Sequence, residues 1–321
     1  MRALLIVLFT TLPGLPGLPA LAQGSPNLVF PVECTLGETC MIQQLMDRDP
    51  GPGARDYLCG PMSYDDHSGT DIRVPDMEAL AQGVQILAAA PGTVRGIRNT
   101  VPDTGLGGFP EGQDCGNGVL IDHENGWQTQ YCHMAQGSIS VASDDVVEAG
   151  QPIGRMGFSG NTEFPHLQIT VRQNGEDVDP FDPSTAGTCG VGAAPLWADE
   201  IPVAPGGILS IGFAESLPEF ASIRAGTADA DTLSPNGEAF VIWGFFHGGR
   251  EGDIITLNIT APDGTVFHTR DVTLDRTQAE LFRASGRRIR TPLSPGTYSG
   301  TVTLTRDGTQ IDAETATIPI R

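Results

Sequence analysis

The chain has 321 residues, 39% of them hydrophobic, with 18 basic against 39 acidic side chains and a net charge of −21. Such a balance argues against general nucleic-acid binding, which needs basic surface to neutralise phosphates, and against adsorption to anionic membranes. The length predicts about two domains, and the apolar share is enough for a core in each.

In chain order, residues 1–22 read as a signal peptide. Arg2 gives the positive start, Ala3 to Thr10 the apolar run, and Ala20-Leu21-Ala22 the small-residue cleavage site. The run is too short to span a bilayer, and no later stretch approaches the ~20 apolar residues needed, so the expectation is a periplasmic or secreted protein without membrane insertion after signal removal. Residues 23–60 form a Cys/Pro/Gly-rich extension with a possible short helix at Met41 to Met46. The six cysteines, Cys34, Cys40, Cys59, Cys115, Cys132 and Cys189, are an even number in an exported chain and allow ~15 pairings. Cys115 and Cys132 flank a predicted hairpin and are the favoured pair. Zinc-thiolate sites are disfavoured because no Cys-x-x-Cys occurs.

Residues 61–183 alternate short strands and turns. Strands are expected at Val84 to Ala90 and Thr93 to Ile97, and at Gly118 to His123 and Trp127 to His133 across Asn125-Gly126, a strong hairpin signal. A further strand is expected over His166 to Arg172, turning at Asn174-Gly175. Asn99 to Asp114 reads as an irregular insertion. Residues 184–200 have the composition of a linker. Residues 201–321 show short strands at Gly207 to Phe213, Ala239 to Phe246, Ile254 to Ile259, Val266 to Thr273, Gly296 to Thr305 and Ile311 to Pro319. Their spacing predicts an antiparallel sandwich of immunoglobulin-like type. The whole is expected to be all-β.

The residues that carry chemistry lie in the first of these units. His67 and Asp71 are four apart around Gly69. His133 ends one predicted strand, and His166 opens another. Residues two apart on a strand share a face, so His166 and Gln168 project together. Mixed nitrogen and oxygen donors converging from a sheet suit a zinc ion with an open water position. His123 reads as plain surface, and His247 and His268 as residues of the sandwich without a role. Arg283, Arg287, Arg288 and Arg290 read as a solvated loop. Trp243, Phe245 and Phe246 read as sandwich core.

The order of these residues resembles the lysostaphin/LytM-type zinc metallopeptidases over about residues 64 to 183. The match begins at His67-Ser68-Gly69-Thr70-Asp71, the family's His-x-Gly-x-Asp. It continues through Val84 to Val94, Gly116 to His123 and Tyr131-Cys132-His133. It ends with Val147 to Gly154, Pro165-His166-Leu167-Gln168 and Val178-Asp179-Pro180. The resemblance implies an antiparallel duplicated-hybrid-motif fold, with His67 and Asp71 as zinc ligands and His133 and His166 as the catalytic pair. The family's third ligand is the second histidine of His-x-His, a position held here by Gln168. The implied reaction is metal-assisted hydrolysis of a peptide bond in peptidoglycan. The alternative is a metal-deficient, non-catalytic binding or regulatory protein of the envelope. Its partners would be peptidoglycan peptides or another envelope protein.

Overall fold

The computed structural model describes residues 24–184, 187–190 and 192–321; the leader expected over 1–22 lies outside them. The first unit contains β1 (Met41–Gln44), β2 (Thr70–Arg73), α1 (Met77–Ala81), β3 (Gln85–Leu87), β4 (Gly92–Arg98), β5 (Asn117–Asp122), β6 (Trp127–Met134), β7 (Val146–Val147), β8 (Pro152–Arg155), β9 (His166–Gln173) and β10 (Glu176–Val178). Seven of these strands run in the order β1-β2-β9-β6-β5-β4-β7, with β10 also on β9, while β3 and β8 pair separately. Every named strand pair is antiparallel.

The period-two pattern of β9 shows why the sheet forms. Leu167, Ile169 and Val171 point into the core at 0–1% exposure, which leaves His166, Gln168 and Thr170 for the opposite face. Register carries this across the sheet. Ile169 lies opposite Thr70 and Tyr131, and Tyr131 lies opposite Val119, all on the core side. The other face carries a row in which Gln44 is opposite Asp71, Asp71 opposite Gln168, and Gln168 opposite Cys132.

The second unit contains β11 (Gly207–Ala214), α2 (Phe220–Ala225), β12 (Ala239–Gly249), β13 (Ile254–Thr260), β14 (Val266–Thr273), β15 (Gln278–Arg288), β16 (Gly296–Arg306) and β17 (Thr309–Ile320). Its seven strands form two antiparallel sheets, β11-β12-β15 and β14-β13-β16-β17. Compared with the constant-type immunoglobulin order, the fourth strand sits beside the third rather than the fifth. Phe240, Ile242, Phe246, Leu257, Val302 and Leu304 fill the space between the sheets at 0% exposure. Trp243 and Phe245 are also buried, against α2 and β1.

Two sequence expectations are corrected. Met41 to Met46 is not helical; Met41–Gln44 is an edge strand on β2, fully buried. A short apolar run does not distinguish helix from strand, and here the partner decides. Arg283, Arg287 and Arg288 lie not in a loop but on β15, a strand whose Ala, Glu, Leu and Arg content favours helix in isolation. Its ten-residue register with β12 overrides that preference.

The cysteines pair as Cys34–Cys40, Cys59–Cys189 and Cys115–Cys132, the last as expected. Within the segment that has a linker's composition, Leu196 and Trp197 are buried in the first core, and a backbone bridge joins Trp197 to Leu28. The Cys59–Cys189 bond fastens the same segment.

The two units also share a seam. Met41 of β1 packs with Leu209, Ala214, Ile223, Trp243 and Phe245 of the second unit. Helix α1, capped by the Asp76 side chain on the Ala79 amide, abuts the end of α2. Gly226 closes α2 at φ 79°, and a Cβ there would lie 2.6 Å from Cβ of Glu78. Both the left-handed backbone and the close approach call for glycine.

Candidate functional site

His67, Asp71, His133 and His166 come together under the face of the sheet that the second unit overhangs. Each is 2–4% exposed. Asp71 stands on β2, and its Oδ1 lies 3.3 Å from His67 Nε2 and 3.5 Å from His166 Nε2. His67 is held in the turn before β2, its amide donating to the Tyr64 carbonyl and its ring 4.3 Å from that of Tyr64. His133 lies near the end of β6 with φ 63°, a left-handed backbone that ends the alternation of that strand and turns its ring to 4.6 Å from His166.

Hydrogen bonding fixes which ring nitrogens face the cluster. His133 Nδ1 lies 2.8 Å from the Ser159 carbonyl oxygen, and His166 Nδ1 lies 2.9 Å from that of Phe164. A carbonyl only accepts, so each Nδ1 carries the proton and, in the neutral ring, each Nε2 presents a lone pair. The His166 Nε2 lone pair therefore faces the Asp71 carboxylate oxygen. Both nitrogens of His67 and Oδ1 of Asp71 are buried without a hydrogen bond.

Electrostatics agree with this arrangement. Burial alone would raise the Asp71 carboxyl, but the His67, His166 and His133 imidazoles outweigh it and hold the group below the usual carboxylate range. Burial drives His166 down to about 4, against the pull of Asp71. His133 is also lowered by burial, and the Ser159 carbonyl, Asp71 and a hydrogen bond with Gln168 oppose that shift. An anion beside the two imidazoles that burial holds down, His133 and His166, is a donor set that attracts a cation.

Two separations in the cluster suit zinc as well. Two donors bound tetrahedrally at ~2.0–2.1 Å must stand ~3.3–3.4 Å apart. The separations from Asp71 to His67 and His166 match that edge length. Among the described residues, no group of three or more His, Cys, Asp or Glu stands where it could hold a metal ion as placed. Gln168 is the neighbour of Asp71 in register, but its side chain rests against Gly69, where a Cβ would lie 2.8 Å from Gln168 Cγ. The Gln168 amide also lies near enough to His133 to oppose the lowering of that ring.

A cleft of about 630 Å³ opens onto the cluster, lined by Asp71, His133 and His166 and by residues that sequence reasoning did not single out. Gln44 comes from β1, and its buried Oε1 has no hydrogen-bond partner. Phe220, Arg224 and Glu280 come from the second unit. Glu280 Oε2 is 2.8 Å from Nη1 of Arg73, a buried residue paired in register with His166. The Arg73 guanidinium lies 4.9 Å from the Phe164 ring, which stacks 4.3 Å from His166. No local sequence signal marks these residues, because their proximity arises from docking of the two units. His123, expected as surface, is half-buried and bridges the Pro91 carbonyl and Thr129 hydroxyl away from the cluster.

Residues 65–180 match Peptidase family M23. Over 120 residues the chain is 30% identical to the cell division protein DipM of Caulobacter vibrioides, covering 36% of this chain and 17% of that protein. Over 116 residues it is 34% identical to the DD-carboxypeptidase/endopeptidase Mpg of Neisseria meningitidis, covering 36% and 22%. The match thus spans about a fifth of these relatives' length, from the 17% and 22% just given. Among solved structures, a mutant catalytic domain of the prophage-encoded M23 protein EnpA from Enterococcus faecalis aligns at 24% identity and TM-score 0.32, over 45% of this chain and 91% of that one. The stretch from the turn before His67 to the end of β10 is a peptidase family M23 domain, of the lysostaphin/LytM type.

Proposed function

We propose that this M23 domain holds one zinc ion and hydrolyses a peptide bond of peptidoglycan after export of the protein. The observation that carries the proposal is the unsatisfied convergence of two imidazole nitrogens on a carboxylate oxygen, at 3.3 and 3.5 Å. At His166, whose Nε2 lone pair faces that oxygen, the contact is repulsive unless a positive centre lies between the two atoms. His67 Nε2, Asp71 Oδ1 and His166 Nε2 would hold the ion. His166 thereby takes the ligand role that the family resemblance gives to position 168. Zinc, when bound, lowers the pKa of a coordinated water toward ~7 and polarises the scissile carbonyl.

The remaining steps belong to the chain's own residues. His133 keeps its Nδ1–H on the Ser159 carbonyl, so Nε2 is the atom that takes a proton from the attacking water and returns it to the leaving amine. The Gln168 amide lies beside that ring and favours its protonated form. The cleft and the overhanging second unit limit water around the reacting bond.

The competing reading is a metal-free groove that binds peptidoglycan peptides or an envelope partner. The carboxamide at Gln168, a weaker zinc donor than imidazole, favours it. Zinc content of the full chain, measured before and after incubation with excess zinc, together with digestion of cross-linked peptidoglycan, separates the two. Stoichiometric zinc that is lost in His67→Ala and His166→Ala but kept in Gln168→Ala supports the assignment. Absence of zinc at excess overturns it.

A further inference from the structure

We infer that Arg224, on α2 of the second unit, is a specificity residue of the cleft that anchors a free carboxylate of the bound peptide. The inference rests on the reading of the cleft as a peptide site, and it concerns the wall that lies outside the M23 domain.

The guanidinium lies at the junction of two hollows. One is the cleft that reaches His133 and His166. The other, about 300 Å³, continues past Phe164 over Met77, Phe158 and Pro165, and both are lined by Arg224. Three features fix the side chain in advance of binding. Its Nε donates to Glu280 Oε1 at 2.6 Å, its carbon lies 5.2 Å over the Phe220 ring, and its helix is pinned to the first unit through Gly226. A planar donor edge held this way loses little entropy when it meets a carboxylate.

The charge on that edge is only partly neutralised. Glu280 is one carboxylate serving two guanidiniums, since its other oxygen is 2.8 Å from buried Arg73. The second acid nearby, Glu163, stands 3.9 Å from Arg224 Nη2 with its side chain 65% exposed. An exposed pair of that length is a weak competitor. Nη1 of Arg224 has no protein hydrogen bond among the described residues. In a chain of net charge −21, the long-range field opposes an anionic peptide, so a ligand with a carboxylate needs such a local anchor.

The test uses the full chain and muropeptides released from sacculi by a muramidase, either with free carboxylates or after carbodiimide amidation. Binding is titrated calorimetrically, and hydrolysis is followed in the same samples. Wild type should bind the free-acid form about tenfold more tightly than the amidated form, the scale of one charge-assisted pair. Arg224→Gln should bind both forms alike. Arg224→Lys, which keeps the charge without the two-donor edge, should keep less than about a third of the discrimination, and it decides the matter if the glutamine variant does not fold. The inference is overturned if amidation changes wild-type affinity less than about twofold, if neither form binds, or if Arg224→Gln weakens both equally. Discrimination without cleavage refutes the hydrolytic reading and leaves the anchor standing. Cleavage without discrimination does the reverse.

Discussion

Glu280→Ala probes the joint between the two units. Arg73 has its side chain only 1% exposed, and Glu280 is the carboxylate that pairs with it. Its other acceptors are neutral: the Gln43 amide and the Val74 and Pro75 carbonyls. Truncating Glu280 therefore strands a buried cation, which costs about 3–5 kcal/mol. The lost contact to Arg224, whose side chain is 37% exposed, adds at most about 1 kcal/mol. Replacing both members of the buried pair, as Arg73→Met with Glu280→Met, removes the stranded charge and should recover at least half of that loss. Urea denaturation of the full chain followed by tryptophan fluorescence gives the stabilities, and limited proteolysis reports opening of the seam. A Glu280→Ala loss below about 1 kcal/mol would refute the reasoning, as would a double variant no better than the single one.

Two further outcomes follow from the site and the sandwich. Gln168→His places an imidazole opposite Asp71 on the same sheet face and should raise zinc affinity about a hundredfold, one ligand's share (~3 kcal/mol) of a four-ligand site; competition with a chelator measures it, and unchanged affinity contradicts the assignment. His247 is held down to about 3 by burial and by the Arg73 and Arg306 charges, whereas in the unfolded chain it takes a proton near its ordinary value of 6.5. The unfolded state therefore binds more protons between these values, so stability is complete above about pH 6.5 and falls as pH drops, by about 2 kcal/mol at pH 5. His247→Gln should flatten that part of the wild-type pH–stability curve, and an unchanged slope would show that the group does not titrate as argued.

Much of the first unit was legible because its strands advertise themselves. The alternation of Leu167, Ile169 and Val171, and the Asn125-Gly126 turn, fix β9 and the β5–β6 hairpin from local pattern alone. The site residues were legible as residue types in order, which is a property of the M23 pattern. What sequence could not supply is distance. β1 lacks a period, and its strand state comes from pairing with β2, which is also what carries Gln44 to the edge of Asp71. β15 has a helix-like composition and becomes a strand through β12, which brings Glu280 to Arg73 over a separation of 207 residues. Contacts of that range leave no local trace.

The replacement at position 168 has a consequence for the rest of the architecture. His166 and Gln168 project from the same face of β9, but only Gln168 lies directly opposite Asp71. For His166 to serve as a donor on the proposed reading, its ring must be aimed along the strand rather than straight across it. Three contacts supply that aim. The Phe164 carbonyl holds Nδ1, the Phe164 ring stacks on the imidazole, and the Arg73 guanidinium packs on the Phe164 ring. Arg73 is in turn held by Glu280 of the second unit. In a site with an imidazole at 168, ligand placement would depend on the sheet alone. Here it depends on the docked sandwich, so loosening the seam with Glu280→Ala should weaken zinc binding in the native chain and should matter much less once Gln168→His is present. Equal weakening in both backgrounds would separate the sandwich from the site.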